Sequence, residues 1–251
     1  MWRVRKERAV READRFIVHT ERSRRVLDME GVSEEKIVMM PPGVDEGHFV
    51  PGESDRGKFW YGDNEFVILF VGWMLPRKGL DFLVLALREL VNYPALKEFK
   101  FKLAVVASGP GGERIANLVS KCGLDESFTF LDTFPYDQMP EVYRAADCFV
   151  LPSIATDTWQ EQFGMSLIEA MSCGIPVVST YSGSIPEIGG DAIALCQPND
   201  FLSLYEALRK IVQDEAYRKM LADAGRARVQ QEYTLSGYAE SLKQVYADLL
   251  Q

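Results

Sequence analysis

Glu161-Gln-Phe-Gly-Met-Ser-Leu-Ile-Glu169-Ala-Met-Ser-Cys-Gly-Ile-Pro-Val-Val178 reads as a loop, a helix and a strand in succession. Leu167, Ile168, Ala170 and Met171 recur with helical spacing, Gly174 supplies a C-terminal stop, and Ile175-Pro-Val-Val178 is a short apolar run of the kind that forms a buried strand. Gly164 lets the chain turn into the helix and lets a ligand approach the backbone. The N–H groups of the first turn have no partner inside the helix, so they face whatever lies in front, and phosphate sits well there. Glu161 precedes this turn and Glu169 lies within the helix, so the two need not share a face. A carboxylate is acceptor-only and suits a diol. By spacing alone a mid-helix glutamate reads as a solvated surface residue, and only its context says otherwise.

The same alternation extends in both directions. Apolar runs at 66–71, 102–107, 127–131, 148–151, 176–179 and 192–195 alternate with helical patterns at 80–91, 113–121 and 138–144. Strands buried on both faces read as unbroken apolar runs, so the expected fold class is α/β, a doubly wound parallel sheet of Rossmann-like type. Ligands of such sheets bind at the carboxyl ends of the strands. Gly72, Gly109, Ser153 and the loop before Phe163 all fall there. The last third, 201–214, 215–231 and 236–250, is helical, and 41–63 is the richest linker candidate.

With 251 residues the chain has length for a full core in one large or two small domains. The net charge of −9 argues against nucleic acid as a general partner, although residues 1 to 25 carry nine Lys/Arg against four Asp/Glu, net +5, leaving −14 elsewhere. Cys122, Cys148, Cys173 and Cys196 stand singly in apolar or helical contexts, as reduced core residues of a cytoplasmic protein would. With only His19 and His48 besides, no metal site is expected. No apolar run approaches the ~20 residues of a membrane span, and no signal peptide is visible.

Six segments in order carry a resemblance: Ala13-Asp-Arg-Phe-Ile-Val-His-Thr20, Lys36-Ile-Val-Met-Met-Pro-Pro-Gly43-Val-Asp45, Phe70-Val-Gly72 through Lys78-Gly79, Ala107-Ser-Gly109-Pro110, Asp147-Cys-Phe-Val-Leu-Pro152-Ser153 with the double-glutamate stretch, and Gly183-Ser-Ile-Pro-Glu187. Together they resemble the donor-binding, C-terminal half of the retaining glycosyltransferases of family 4, which share the GT-B architecture of two Rossmann-like domains. The resemblance implies a remnant of the acceptor-side domain at 1–45, a nucleotide-sugar-binding domain at 46–235, and a helix at 236–251 that crosses back onto the acceptor domain. It implies a nucleoside-diphosphate sugar as donor substrate, no cofactor, and an acceptor-side domain or partner chain to complete the enzyme. The lack of an Asp-x-Asp triplet fits a metal-independent site.

Carried over residue by residue, the resemblance gives Glu169 the ribose hydroxyls, Glu161 the sugar hydroxyls, and Lys78 with Arg77 and the helix N-terminus the leaving diphosphate. Gly72, Gly109, Phe163, Gly164 and Met165 line the donor site, Ser166 reaches the distal phosphate, and Phe134 flanks the base. One position departs from the pattern. The family commonly has Arg directly after the first-loop glycine, where this chain has Trp73. Losing a paired cation in a partly dry pocket costs about 2–5 kcal/mol, so either Arg77 takes over or donor affinity is weak. Trp73 itself is read as an aromatic packed at the domain edge or stacked on sugar or base. Glu187 is read as structural. A non-catalytic nucleotide-sugar module and a GT-B sugar-nucleotide epimerase stand as alternatives. The basic leader 1–15, with Trp2 and Val4, is read as a remnant helix of the missing domain, with weak contact to an anionic membrane surface as the alternative.

Overall fold

The computed structural model describes residues 2–59, 62 and 64–250. The chain opens with α1 (Trp2–Glu12), β1 (Phe16–Val18), α2 (Glu21–Met29) and β2 (Ile37–Met39), and β1 and β2 pair in parallel as a separate two-stranded sheet. The side chains of residues 2–6, and with them the membrane-contact reading of Trp2 and Val4, lie outside the described residues, as does part of the 41–63 linker.

Helix α2 has no counterpart in the sequence reading. Its apolar residues Val26, Leu27 and Met29 fall on one side of the helix, but they are few and none of its residues is buried. Capping adds to its stability. The Thr20 side chain accepts from Ser23 N–H, and the Glu187 carboxylate, 166 positions away in sequence, accepts from Glu21 N–H at 2.6 Å. Glu187 thus ties the N-terminal segment to the rest of the chain.

The main body runs β3 (Glu65–Trp73), α3 (Leu80–Asn92), β4 (Lys100–Ser108), α4 (Gly112–Lys121), β5 (Phe128–Leu131), α5 (Met139–Arg144), β6 (Cys148–Leu151), α6 (Met165–Ser172), β7 (Val177–Thr180), the short α7 (Ile185–Gly189) and β8 (Ala194–Cys196). The strands form one six-stranded sheet in the order β5-β4-β3-β6-β7-β8, and every pairing is parallel. Successive strand residues point to opposite faces, which splits the core in two. Phe66, Ile68 and Phe70 face one layer with the buried sides of α3 and α4, while Val67 and Leu69 face the other with α5 and α6. The helices α8 (Phe201–Gln213) and α9 (Glu215–Glu232) complete these two layers, and α10 (Leu235–Leu249) ends the described chain with no buried residue.

From β3 the chain winds outward through β4 and β5, then returns to the other side of β3 and winds outward through β6, β7 and β8. The switch point lies between β3 and β6, where the loops after these two strands must diverge and open a crevice at their carboxyl ends. A backbone contact also joins two distant segments of the chain. Val44 N–H donates to Tyr233 O and Leu235 N–H to Val44 O, both at 2.9 Å, so the segment entering the body touches the segment leaving it. Among the described residues no helix is long and apolar enough to cross a membrane. The four cysteines are free thiols, three of them buried.

Candidate donor site at the switch point

The loop after β3 and the loop after β6 are stitched together by backbone. Ile154 N–H donates to Arg77 O at 2.8 Å, and Gly79, in a left-handed conformation with φ 72°, lies so close to Pro152 that a Cβ there would fall on the Pro152 carbonyl oxygen. Lys78 ends a single helical turn, Pro76–Lys78, and its Nζ lies 2.7 Å from Glu161 Oε2. The Ser153 hydroxyl donates to the same oxygen at 2.8 Å, and Glu161 is only 6 % exposed. Burying a carboxylate is costly unless it is paired and hydrogen-bonded, and this one is both. Its second oxygen, Oε1, takes no part in these two bonds. The backbone of Glu161 is held as well, since Ser184 N–H donates to its carbonyl at 3.0 Å. Gly183, with φ 57°, is the residue that lets this approach happen, because a Cβ there would collide with that same carbonyl.

Eight residues on, Glu169 sits in a different environment. The bland expectation for a mid-helix glutamate fails here: Glu169 is 9 % exposed, beneath α5, and the hydroxyl of fully buried Tyr143 donates to its Oε2 at 2.7 Å. Burial pushes the Glu169 carboxyl up from 4.5, and the Tyr143 hydrogen bond only partly opposes this. The same burial, with the Glu169 charge beside it, holds the Tyr143 hydroxyl well above its usual 10. Tyr136, ring to ring with Phe49 at 5.2 Å, is pushed up to about 12 by burial and by Glu169 and Asp45. Between the two glutamates, the N-terminus of α6 has Gly164 at its cap and no side-chain capping bond. Leu167 N–H bonds back to Gly164 O, and the N–H groups of Met165 and Ser166 have no such bond within the turn.

The remaining residues singled out from sequence divide into two groups. Gly72 and Trp73 end β3 beside Ser108, and Trp73 lies within reach of Gly109, so these three share the crest. Trp73 is 60 % exposed, so most of its ring is uncovered by the described residues. The Phe163 side chain is buried in the core, edge-on to Tyr233 at 5.7 Å, in the same apolar layer as Leu167 and Ile168, so any part it plays at the crevice falls to its backbone. Phe134, half-buried and edge-on to Phe59 at 5.8 Å, packs against the same layer from the loop after β5. Met165 is exposed and Ser166 half-buried in the first turn of α6. Arg77 is not free-standing: its guanidinium carbon lies 4.6 Å from the ring centre of Trp159, and its Nε is buried without a hydrogen-bond partner. Trp159 and Tyr143 are the residues that sequence reasoning passed over. Trp159 carried a visible signal, a lone aromatic among polar residues two positions before Glu161, whereas Tyr143 reaches Glu169 only through the packing of α5 on α6.

Among the described residues no group of three or more His, Cys, Asp or Glu is arranged to hold a metal ion. A concavity of about 960 Å³ between β8, α8 and α9 contains none of the residues discussed above.

The sequence of residues 53–228 matches the model of the family described as glycosyl transferases group 1. The chain belongs to that family. Among curated proteins it is similar to the D-inositol 3-phosphate glycosyltransferase of Mycolicibacterium smegmatis, 30 % identical over 223 residues that cover 84 % of this chain and 48 % of the relative. The protein of the same name from Stackebrandtia nassauensis is 31 % identical, covering 99 % of this chain and 57 % of the relative. The chain therefore spans about half the length of the curated relatives it matches. Among solved structures, a sucrose-phosphate synthase from Thermosynechococcus elongatus superposes with a TM-score of 0.84 at 27 % identity, over 98 % of this chain and 60 % of that one. Anabaena HepE, solved in complex with UDP and glucose, superposes with a TM-score of 0.84 at 23 % identity over 98 % of this chain and 66 % of that one, and shows the shared fold. The group 1 chain described here has the fold of the C-terminal half of a GT-B glycosyltransferase.

Proposed function

We propose that this chain is the donor-binding half of a retaining, metal-independent hexosyltransferase that moves a sugar from a nucleoside diphosphate to an acceptor hydroxyl. The observation that carries the reading is the convergence at one switch point of Lys78, Glu161 and the uncapped N-terminus of α6, with Glu169 one helix turn beyond the first turn and held by Tyr143. Each element meets one part of a nucleotide sugar. Lys78, Arg77 and the N–H groups of Met165 and Ser166 face the diphosphate, Glu161 Oε1 accepts from sugar hydroxyls, and Glu169 accepts from the ribose diol. Gly72, Trp73 and Gly109 line the crest beside them, and Phe134 flanks the base.

Charge grows on the diphosphate as the glycosidic bond breaks, so fixed cations and helix N–H groups act more strongly on the transition state than on the bound donor. The scheme requires no side-chain nucleophile and no metal ion. The acceptor side belongs to a further domain or partner chain, for which residues 1–45 and α10 supply the contact surface. Ile17, Val26, Met29 and Met39 on the first segment, and Leu235, Tyr246 and Leu249 on α10, are exposed apolar residues in keeping with that role. On this reading the body runs from 46 to 235, and the Val44–Tyr233–Leu235 crossing is in keeping with that boundary. The reading makes the protein a cytoplasmic one.

One observation favours a second reading, a nucleotide-sugar-binding module without transferase activity: position 73 carries an exposed indole where the family resemblance leads one to expect a cation. Calorimetric titration of the chain with UDP, GDP and ADP and their glucose, mannose and N-acetylglucosamine esters tests both. Saturable binding that is abolished in Glu169→Ala supports a donor site and names its base. Transfer on adding an acceptor domain from a relative then separates enzyme from module. No binding to any of the nucleotides overturns the proposal.

A further inference from the structure

The loop between β6 and α6 carries an aromatic residue in contact with both cations of the first loop. Trp159 closes a tight hairpin with Thr156: Thr156 N–H donates to Trp159 O at 2.7 Å, and Trp159 N–H donates to the Thr156 hydroxyl at 3.1 Å. The hairpin projects the indole against the turn Pro76–Lys78, with the Arg77 guanidinium carbon 4.6 Å and Lys78 Nζ 5.3 Å from the ring centre. Arg and Lys are attracted to the negative face of an indole at these distances.

The two cations differ in what else they touch. Lys78 is neutralised by Glu161 at 2.7 Å. Arg77 has no ion-pair partner among the described residues, its Nε is buried without a hydrogen bond, and its backbone carbonyl is fixed by Ile154 N–H. A guanidinium left with an unsatisfied buried N–H is unfavourable unless an anion or an aromatic face stabilises it. Here the aromatic face is Trp159. A diphosphate arriving at the switch point meets Lys78 already paired, so most of the uncompensated positive charge available to it is that of Arg77 and the α6 N-terminus.

We infer that Trp159 is a positioning residue: by stacking on Arg77 it makes that arginine the second diphosphate-binding cation of the site, in the place that Trp73 leaves without one. The inference rests on the nucleotide-sugar reading of the site and goes beyond it by naming how the diphosphate is held. Trp159 need not touch substrate. Its effect is confined to the part of the ligand that Arg77 meets, so it shows in the affinity added by the second phosphate and not in the affinity for the nucleoside.

The test is calorimetric titration of the full chain with the mono- and diphosphates of uridine, guanosine and adenosine, for wild type, Trp159→Leu, Trp159→Phe and Arg77→Met, with a thermal melt of each to verify folding. For the base that binds best, Trp159→Leu should reduce the diphosphate-to-monophosphate affinity ratio about tenfold, as loss of a partly desolvated cation–aromatic contact implies. Monophosphate affinity should stay within about twofold, Trp159→Phe should restore most of the ratio, and Trp159→Leu should add nothing to Arg77→Met. An unchanged ratio in Trp159→Leu, or effects of the two changes that simply add, overturns the inference while leaving the site a nucleotide site. Absence of any nucleotide binding by wild type overturns both. Should Trp159→Leu fail to fold, the ratio in Arg77→Met and Trp159→Phe decides: a ratio lost in Arg77→Met and lowered by a smaller amount in Trp159→Phe supports the inference, and an unaffected ratio in either variant sinks it.

Discussion

Glu161 and Glu169 belong to one eighteen-residue stretch of sequence, yet the fold puts them in opposite electrostatic situations. Glu161 is buried against a cation and a hydroxyl at the meeting of two loops; Glu169 is buried in the middle of a helix against a neutral phenol. The first carboxylate has a cation beside it, while burial raises the carboxyl of the second. The two carboxylates that the proposed reading assigns to one ligand are thus held by two different means. Glu161 is positioned by ion pairing across the switch point. Glu169 is positioned by one hydrogen bond and by packing, at a cost to the folded state. Removing each partner in turn separates the two mechanisms.

The largest effect is expected at the Glu161 end. Lys78→Met leaves the Glu161 carboxylate 6 % exposed with only Ser153 as partner. Removing one member of a buried pair costs about 3–5 kcal/mol because the other charge remains in place. The side-chain stem of Lys78 is itself 16 % exposed, so some water reaches the pair and the lower end of that range applies. Chemical denaturation should show this loss, and Lys78→Met with Glu161→Gln should recover most of it. A double variant no more stable than Lys78→Met would mean that the pair contributes through shape alone.

Tyr143→Phe makes a smaller change at the other end. It removes the only side-chain donor to Glu169 Oε2 among the described residues and leaves the shape of the core almost untouched. An unsatisfied buried acceptor costs about 1–3 kcal/mol. Because the Tyr143 bond is the one influence that holds the Glu169 carboxyl down, its removal should raise that carboxyl further. Nucleotide binding, measured against pH, should therefore weaken and shift its acid limb to higher pH. A variant with unchanged affinity and an unchanged pH profile would separate Tyr143 from the ligand altogether.

The two ends also differ in how much of them could be read from sequence. The sheet was legible almost strand by strand, since apolar runs such as 66–71 and 148–151 are buried on both faces and need no tertiary knowledge to recognise. The crest positions Gly72, Gly109 and Ser153 followed from the same reading, because strand ends in a doubly wound sheet define the crevice. What escaped was everything decided between elements. Helix α2 is capped by Glu187 from the far end of the chain, Tyr143 meets Glu169 only because α5 packs on α6, and Trp159 finds Arg77 across two loops. That the Phe163 side chain turns into the core was likewise not legible, because its direction is set by the layer below it.

The smallest effect is the one that tests whether Glu169 is held against its own stability. Its carboxyl is raised in the folded chain above the 4.5 of the unfolded one, chiefly by burial. The folded state therefore binds the proton more tightly, and stability falls as pH rises from 4.5 through the folded-state value, where the ionised form must be kept in an apolar surround. Glu169→Gln keeps an acceptor for the Tyr143 hydroxyl and cannot ionise. Its melting temperature should match wild type near pH 4 and exceed it at pH 7 to 8, by an amount worth about 1.4 kcal/mol for each pH unit by which the carboxyl is raised. The same variant should lose nucleotide affinity, since an amide offers the ribose diol one acceptor and a mismatched donor. More stable and less able to bind is the signature of a residue kept for its ligand. Equal melting curves at every pH would instead mean that Glu169 reaches enough solvent, or enough compensating charge, to ionise without penalty, and the contrast with Glu161 would reduce to one of partners alone.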